Sequence, residues 1–328
     1  MDNVSASARF VVVGGGVVAA SVAYHLARRG ASVIIVEGGK RGAATSAGAG
    51  IICPWTAPLE DACYRLCAEG AAYYLELLAM LAEDGETDSG YARVGALCVA
   101  GQAQALQPMA ALLASRRTSA AGIGEVAALA PGEPARMFPP LAQGLAGLWI
   151  GGGARVDGRA SRDCLLRAAV ARGARRVPGT AVLDRAAGRV TGVTVGADRI
   201  GADAVVVAAG AWTAGICAQL GIRVPVGPQR GQIVHARLPR TDTAAWRSCC
   251  LTRTRIWSPS PPGGSWPARP GSRLVSPTTP PWAGSAACWP ALPGWHRVCA
   301  RPSCWKPALA SAPSLATGAP CSARSPAV

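Results

Sequence analysis

The chain has 328 residues, 33 basic and 18 acidic side chains and a formal net charge of +15, a length that suits two domains or one large domain interrupted by a second. Nine of the basic residues (Arg247, Arg253, Arg255, Arg269, Arg273, Arg297, Arg301, Lys306 and Arg324) follow Asp242, the last acid. The preceding part is only mildly basic, which argues against a nucleic-acid partner. A membrane span is excluded because the apolar run from Phe10 is broken by Gly14, Gly15 and Gly16 and then by His25, Arg28 and Arg29.

The start "MDNVSASARF" lacks the basic-then-apolar order of a secretion signal, and no CxxC pair occurs. Both features predict a cytoplasmic protein without a disulfide framework or a metal site. Cys63 and Cys67 share a helix face and are expected as small core residues rather than as a metal or redox pair.

"ARFVVVGGGVVAASVAYHLARRGASVIIVEGG" predicts a strand over 10–13, a glycine turn, a helix, and a second strand over 32–36 that ends on Glu37. Gly14, Gly16 and Ala19 fall at the spacing of a dinucleotide-binding turn. Gly14 permits the tight turn. Gly16 lets a pyrophosphate approach the backbone, where amides at the helix start stabilise its charge. Val13, Val17 and Val18 flank the turn and are assigned to the same site. Glu37 is placed to accept hydrogen bonds from the ribose of an adenosine. The motif alone does not separate NAD from FAD.

Next comes "RGAATSAGAGIICPW", rich in small and hydroxyl residues, of which Thr45, Ser46, Gly48, Gly50 and Ile51 suit a chain passing close to a phosphate and an isoalloxazine. An ordinary small-residue turn would read the same way. Residues 60–85 predict a helix on which Tyr64, Tyr73 and Tyr74 pack into the core, and residues 92–100 a strand. Farther on, "GARVDGRASRDCLLRAAVARGARRVPGTAVLDRAAGRVTGVTV" predicts a helix over 161–172 and strands around Val182 and Val193. "IGADAVVVAAGAWT" then predicts a short buried strand of the parallel type over 205–207, followed by Ala208, Ala209, Gly210 and Trp212.

In combination these segments resemble the D-amino acid oxidase family of FAD-dependent oxidoreductases, over about residues 9–240. The passage "GIRVPVGPQRGQIVHARLP" is similar to that family's crossing from flavin domain to substrate domain. The resemblance implies an α/β fold: a Rossmann-type FAD-binding domain with an inserted, incomplete α+β substrate domain. It implies FAD as cofactor, the "AAGAW" segment closing the flavin site, and Val182 laid against the adenine. It further implies oxidation of a small-molecule amine or amino acid at a CH–NH or CH–NH2 group by hydride transfer to flavin N5, with the electron acceptor unspecified. An NAD-dependent dehydrogenase, or a non-catalytic dinucleotide-binding protein with a basic interaction tail, are the alternatives. No catalytic residue is assigned: Arg230 is as well explained by a structural role, and His25, His235 and His296 are isolated.

The expected division is 1–54 and 151–225 for the FAD-binding domain, 55–150 and 226–242 for the substrate domain, and 243–328 as an aberrant, poorly ordered tail. Seven of the ten Trp, fifteen of the 26 Pro and six of the twelve Cys lie in that tail, without sustained helical or strand periodicity. So many Trp do not fit a disordered segment. Translation out of frame from GC-rich DNA would account for them: with GC-rich codon choices, regrouping 250–270 by one step gives an alternating strand, turn and strand. On that reading the chain lacks much of its substrate sheet and the glycine-rich segment that closes over the flavin, and retains FAD weakly.

Overall fold

The structure, a computed structural model, describes residues 8–40, 42–59, 61–236, 243, 246–251, 255–258, 272–276 and 305–315. In chain order its elements are β1 (Arg9–Val13), α1 (Val17–Arg28), β2 (Ser32–Glu37), β3 (Ile51–Ile52), α2 (Asp61–Glu83), β4 (Tyr91–Ala92), β5 (Ala96–Ala100), α3 (Gln107–Arg117), β6 (Val126–Leu129), α4 (Glu133–Met137), β7 (Ala146–Ile150) and β8 (Ala154–Val156). They continue with α5 (Gly158–Ala171), β9 (Arg175–Pro178), β10 (Ala181–Ala186), β11 (Arg189–Val195), β12 (Asp198–Gly201), β13 (Ala204–Val207), α6 (Thr213–Ala218), β14 (Val226–Ala236), β15 (Ser248–Leu251), β16 (Arg255–Ser258), β17 (Ser272–Ser276) and β18 (Trp305–Leu315).

Two sheets organise the described residues. A parallel sheet runs β13-β1-β2-β9, drawing on both ends of the stretch 9–207. Its valine- and isoleucine-rich central strands are covered on both faces, as parallel strands require. On one face α1 and α5 pack through Ala19, Ala20, Ala23, Leu165 and Ala169. On the other, Val11, Val13 and Val36 meet Leu183 and Val193 of the antiparallel sheet β10-β11-β12. The second large sheet runs β18-β14-β17-β16-β15-β5-β7-β6, and β3-β8-β4 form a small sheet of their own. The predicted strand over 92–100 is therefore two strands, because Gly95 takes a positive φ of 72° and breaks the run.

Four strands of the eight-stranded sheet lie beyond Asp242, where no sustained strand is expected from the sequence. Ladder hydrogen bonds are made by backbone groups and do not require alternating side chains. Pro307 and Pro313 occur on β18, which is an edge strand and so tolerates residues lacking an N–H donor.

The C-terminal ends of α1 and α5 converge on one carboxylate. Asp84, just past α2, accepts hydrogen bonds from the Tyr24 hydroxyl at 2.7 Å, from Arg28 at 3.3 Å and from Arg172 Nε at 2.9 Å. The hydrogen bond from Arg172 holds the Asp84 carboxyl down to about 2 against the opposing effect of burial, with Tyr24 and the nearby Arg28 charge assisting. Burial, followed by the hydrogen bond to Asp84, pushes Tyr24 up to about 12.

His25 has the structural role expected of it. Its Nδ1 donates to the Ser21 carbonyl, which can only accept, at 2.6 Å, and its Nε2 lies 2.6 Å from the Tyr73 hydroxyl. His296 lies outside the described residues. Tyr64 is buried as expected, but Cys63 and Cys67 are not core residues: both are exposed. Among the described residues the buried positions of α2 are Tyr64, Leu77 and Leu81, and the two thiols fall beside that buried stripe, on the water-facing flank of its first turns. No helix among the described residues is long and apolar enough to cross a membrane.

Candidate cofactor site

Strand β1 has β2 on one side and β13 on the other, so the strand order departs in both directions from it. The crevice at the C-terminal ends of such strands is where open α/β sheets bind ligands. Gly14 stands at that point with a φ of 139°, a conformation open to glycine and strained for other residues. A Cβ there would overlap the Ala208 carbonyl. The turn is pinned on both sides, with Gly14 N–H donating to Val36 O at 2.9 Å and Ala208 N–H donating to Val13 O at 2.8 Å.

Gly15 has no role in the motif spacing, yet a Cβ on it would overlap the Glu37 carboxyl group. Glu37 thus folds back from the end of β2 over the glycine turn, and Arg176 of β9 holds one of its oxygens at 3.0 Å. The other oxygen remains available to accept hydrogen bonds. Nothing in the sequence signals Arg176, because its pairing with Glu37 spans 139 residues.

Helix α1 begins without a side-chain cap on Gly16 and without an acid in its first turn. Its partial positive charge is therefore left for an external anion. The Val17 N–H donates to Thr45 Oγ1 at 3.0 Å, and Val18 is 63% exposed beside the turn. The Thr45 oxygen serves here as an acceptor, and its hydroxyl proton stays free to give.

The segment carrying Thr45, Ser46, Gly48, Gly50 and Ile51 is held between the starts of two helices. Ser46 O accepts from Arg159 Nε at 3.1 Å, and a Cβ on Gly158 would overlap Thr45 O. Gly50 has a φ of 67° and faces Val156, whose N–H donates to Gly50 O at 2.7 Å; Ile51 then pairs with Arg155 across β3 and β8. Asp157 starts α5 by accepting from the backbone N–H of Arg159 at 2.9 Å and of Ala160 at 3.2 Å. An Asp directly before a helical run is a start signal that would have moved the predicted helix from 161 back to Gly158.

Past β13 the chain makes a tight turn through Ala208 and Ala209 into one turn of 3-10 helix, Gly210–Trp212. Strands β14 and β18 run against this turn, and β18 also runs against Ala44–Ser46. Val182 lies on β10, three residues past Gly179, whose N–H donates to Glu37 O at 2.9 Å; the Val182 side chain points outward and is 53% exposed. Of the residues named from the sequence, Val13, Gly14, Gly16, Val17, Glu37, Thr45 and Ala208 meet directly around the glycine turn. Val18 follows on α1, Ala209, Gly210 and Trp212 follow Ala208, Ser46, Gly48, Gly50 and Ile51 continue the segment that Thr45 Oγ1 ties to the Val17 N–H, and Val182 follows Gly179, which bonds to Glu37 O.

An uncapped helix start, a glycine turn at the switch point and a carboxylate at the end of β2 define a dinucleotide-binding α/β protein. The family model of the FAD dependent oxidoreductases (DAO) matches residues 9–265. The chain belongs to that family, and FAD is the family's cofactor. The match extends past the 240 or so residues over which the resemblance is legible in the sequence.

Among curated relatives, an uncharacterised oxidoreductase of Bacillus subtilis, YurR, is 42% identical over 238 residues, covering 72% of this chain and 64% of the relative. The chain thus spans less than two thirds of that relative's length. Glycine oxidase of Geobacillus kaustophilus is 32% identical over 273 residues, covering 77% of this chain and 70% of the relative. Among solved structures, iminodiacetate oxidase from Chelativorans sp. BNC1 superposes with a TM-score of 0.80 at 34% identity, covering 94% of this chain and 84% of that one.

The residues present fit FAD. An open, acid-free helix start suits a pyrophosphate, with the turn amides and the Thr45 hydroxyl as donors, and Glu37 suits the adenosine ribose.

Proposed function

We propose that this fold serves FAD-dependent oxidation of a small amine or amino acid at a CH–NH or CH–NH2 group. The observation that carries the reading is the uncapped start of α1 beside Glu37 at the switch point of the parallel sheet. The names of glycine oxidase and iminodiacetate oxidase support the substrate class. A bound flavin would supply the hydride acceptor for the carbon next to nitrogen. The chain's residues would hold the cofactor: Gly14, Gly16, Val17 and Val18 at the pyrophosphate, Glu37 at the ribose, and Val182 beside the adenine. Thr45, Ser46, Gly48, Gly50, Ile51, Ala208, Ala209, Gly210 and Trp212 would line the path toward the ring. The electron acceptor is not part of the reading. The dinucleotide-binding domain would comprise 1–54 and 151–225, and the substrate domain 55–150 and 226–242.

The activity is impaired in this chain on the same reading. β18, which runs against two of the flavin segments, comes from the stretch that the codon argument assigns to a displaced frame. Side chains selected for another frame would not fill the substrate sheet or close the site, and FAD retention would be weak.

The test compares the chain as it stands with one whose tail after Asp242 is translated in the alternative frame. Flavin content is measured first, then bleaching of the bound flavin under anaerobic conditions by glycine, iminodiacetate and a panel of D- and L-amino acids. Expected are weak flavin retention in the first protein, and stoichiometric flavin bleached by at least one amine in the second. A second protein that holds FAD and is bleached by no amine would refute the substrate class. Stoichiometric, amine-reducible flavin in the first protein would refute the impairment.

A further inference from the structure

Two exposed thiols on α2 have no place in the cofactor site. Cys63 and Cys67 stand one helical turn apart, and both are exposed, whereas Cys53, Cys98 and Cys164 are buried and Cys217 is half-buried. The helix that carries them is anchored by Tyr64 on its inner face and by Leu77 and Leu81 farther along, so the spacing of the two thiols is set by a rigid element.

That spacing decides what the pair can do. Side chains at i and i+4 on a helix have Cβ atoms about 5–6 Å apart. A disulfide needs Cβ atoms at about 3.5–4.5 Å, so direct oxidation of the pair would require the helix to unwind. An ion bound by both sulfurs at about 2.3 Å each, in tetrahedral geometry, separates them by roughly 3.7 Å and is reached by ordinary rotation about the two Cα–Cβ bonds.

We propose that Cys63 and Cys67 form a surface dithiolate site for a soft divalent cation. Thiolate ligands select thiophilic ions over oxygen-seeking ones such as magnesium or calcium. Each thiol gives up its proton to solvent as a metal–sulfur bond forms, and no oxidation state changes. Among the described residues no group of three His, Cys, Asp or Glu side chains converges. Among the described residues the site has these two ligands, with water or a small anion at the remaining positions. This inference is independent of the oxidase reading.

The test is a titration of the full-length, reduced chain with Cd(II), followed by the ultraviolet charge-transfer band of cadmium thiolate. The double variant C63S/C67S supplies the background from the other cysteines. Wild type is expected to show a saturable band above that background. In C63S and in C67S that component weakens about a hundredfold, because the second sulfur no longer binds as part of a chelate. Serine at these exposed positions should leave the helical circular dichroism unchanged. The variant C67S/A68C keeps the thiol count but turns one sulfur off the face, and is expected to bind like C67S. The proposal is overturned if either single variant titrates like wild type, if each loses half the amplitude at unchanged affinity, or if C67S/A68C restores binding.

Discussion

Helices α1 and α5 lie side by side against one face of the parallel sheet, yet begin in opposite ways. α5 is closed by its own sequence: Asp157 accepts two of the backbone N–H groups that a helix start leaves unpaired. α1 begins on Gly16 with no cap of its own and no acid in its first turn, and one of its N–H groups, that of Val17, donates to the distant Thr45 Oγ1. Their far ends are alike, since Tyr24 and Arg28 of α1 and Arg172 after α5 all bond to Asp84. The start of α5 is closed by its own residue, whereas the start of α1 is held at one N–H by Thr45 Oγ1 and by its neighbours, which on the proposed reading leaves its other amides for an anionic ligand.

The most damaging way to break this contrast is Gly14→Val. A side chain there meets both the positive φ and the Ala208 carbonyl. A loss of about 3 kcal/mol or more is expected in chemical denaturation, together with loss of FAD binding. Gly16→Asp sharpens the contrast by making α1 resemble α5. Gly16 has the extended backbone that a capping residue uses, with a φ of −85° and a ψ of 179°. An aspartate there supplies a cap and a partner for the helix dipole, but its Cβ would stand 3.2 Å from Thr45 Oγ1, so stability without ligand should change by no more than about 0.5 kcal/mol. It should also weaken FAD binding about a hundredfold by placing a carboxylate where the pyrophosphate belongs. Nearly unchanged thermal unfolding with weakened titration by added FAD is the expected signature; equal FAD affinity would remove the assignment of this helix start to the cofactor.

The shared clamp is tested by acid. Asp84 titrates at about 2 in the folded chain against an ordinary 3.8, so its contribution is complete above pH 4 and is lost as the pH falls toward 2. The stability difference between wild type and Asp84→Asn should accordingly shrink by up to about 2 kcal/mol between pH 5 and pH 2. The smallest effect is expected from Asp157→Ala, which removes the α5 cap. It should cost about 1 kcal/mol in denaturant unfolding while leaving FAD affinity nearly unchanged.

Much of the cofactor half is legible before any coordinates. The strand, glycine turn, helix and second strand are local patterns, each set by hydrophobic period and by residues that only glycine can replace. Glu37 is placed by its position at the end of β2. Gly15 and Arg176 escape notice because their importance depends on where the Glu37 side chain lies. Cys63 and Cys67 are misread because spacing assigns them to one helix face without saying which face the core takes. The strands beyond Asp242 are missed because their ladder pairs backbone groups, and their side chains carry no period of two.

The sequence by itself determined the nucleotide-binding turn, the α/β class and the family, because those rest on short-range patterns that survive without knowledge of the partners. Tertiary structure alone decided that β13 and β2 flank β1, that Glu37 closes over Gly15, that α5 is capped while α1 is open, and that two thiols face water. Each of these depends on groups far apart in the chain meeting in space, and only the folded packing brings them together.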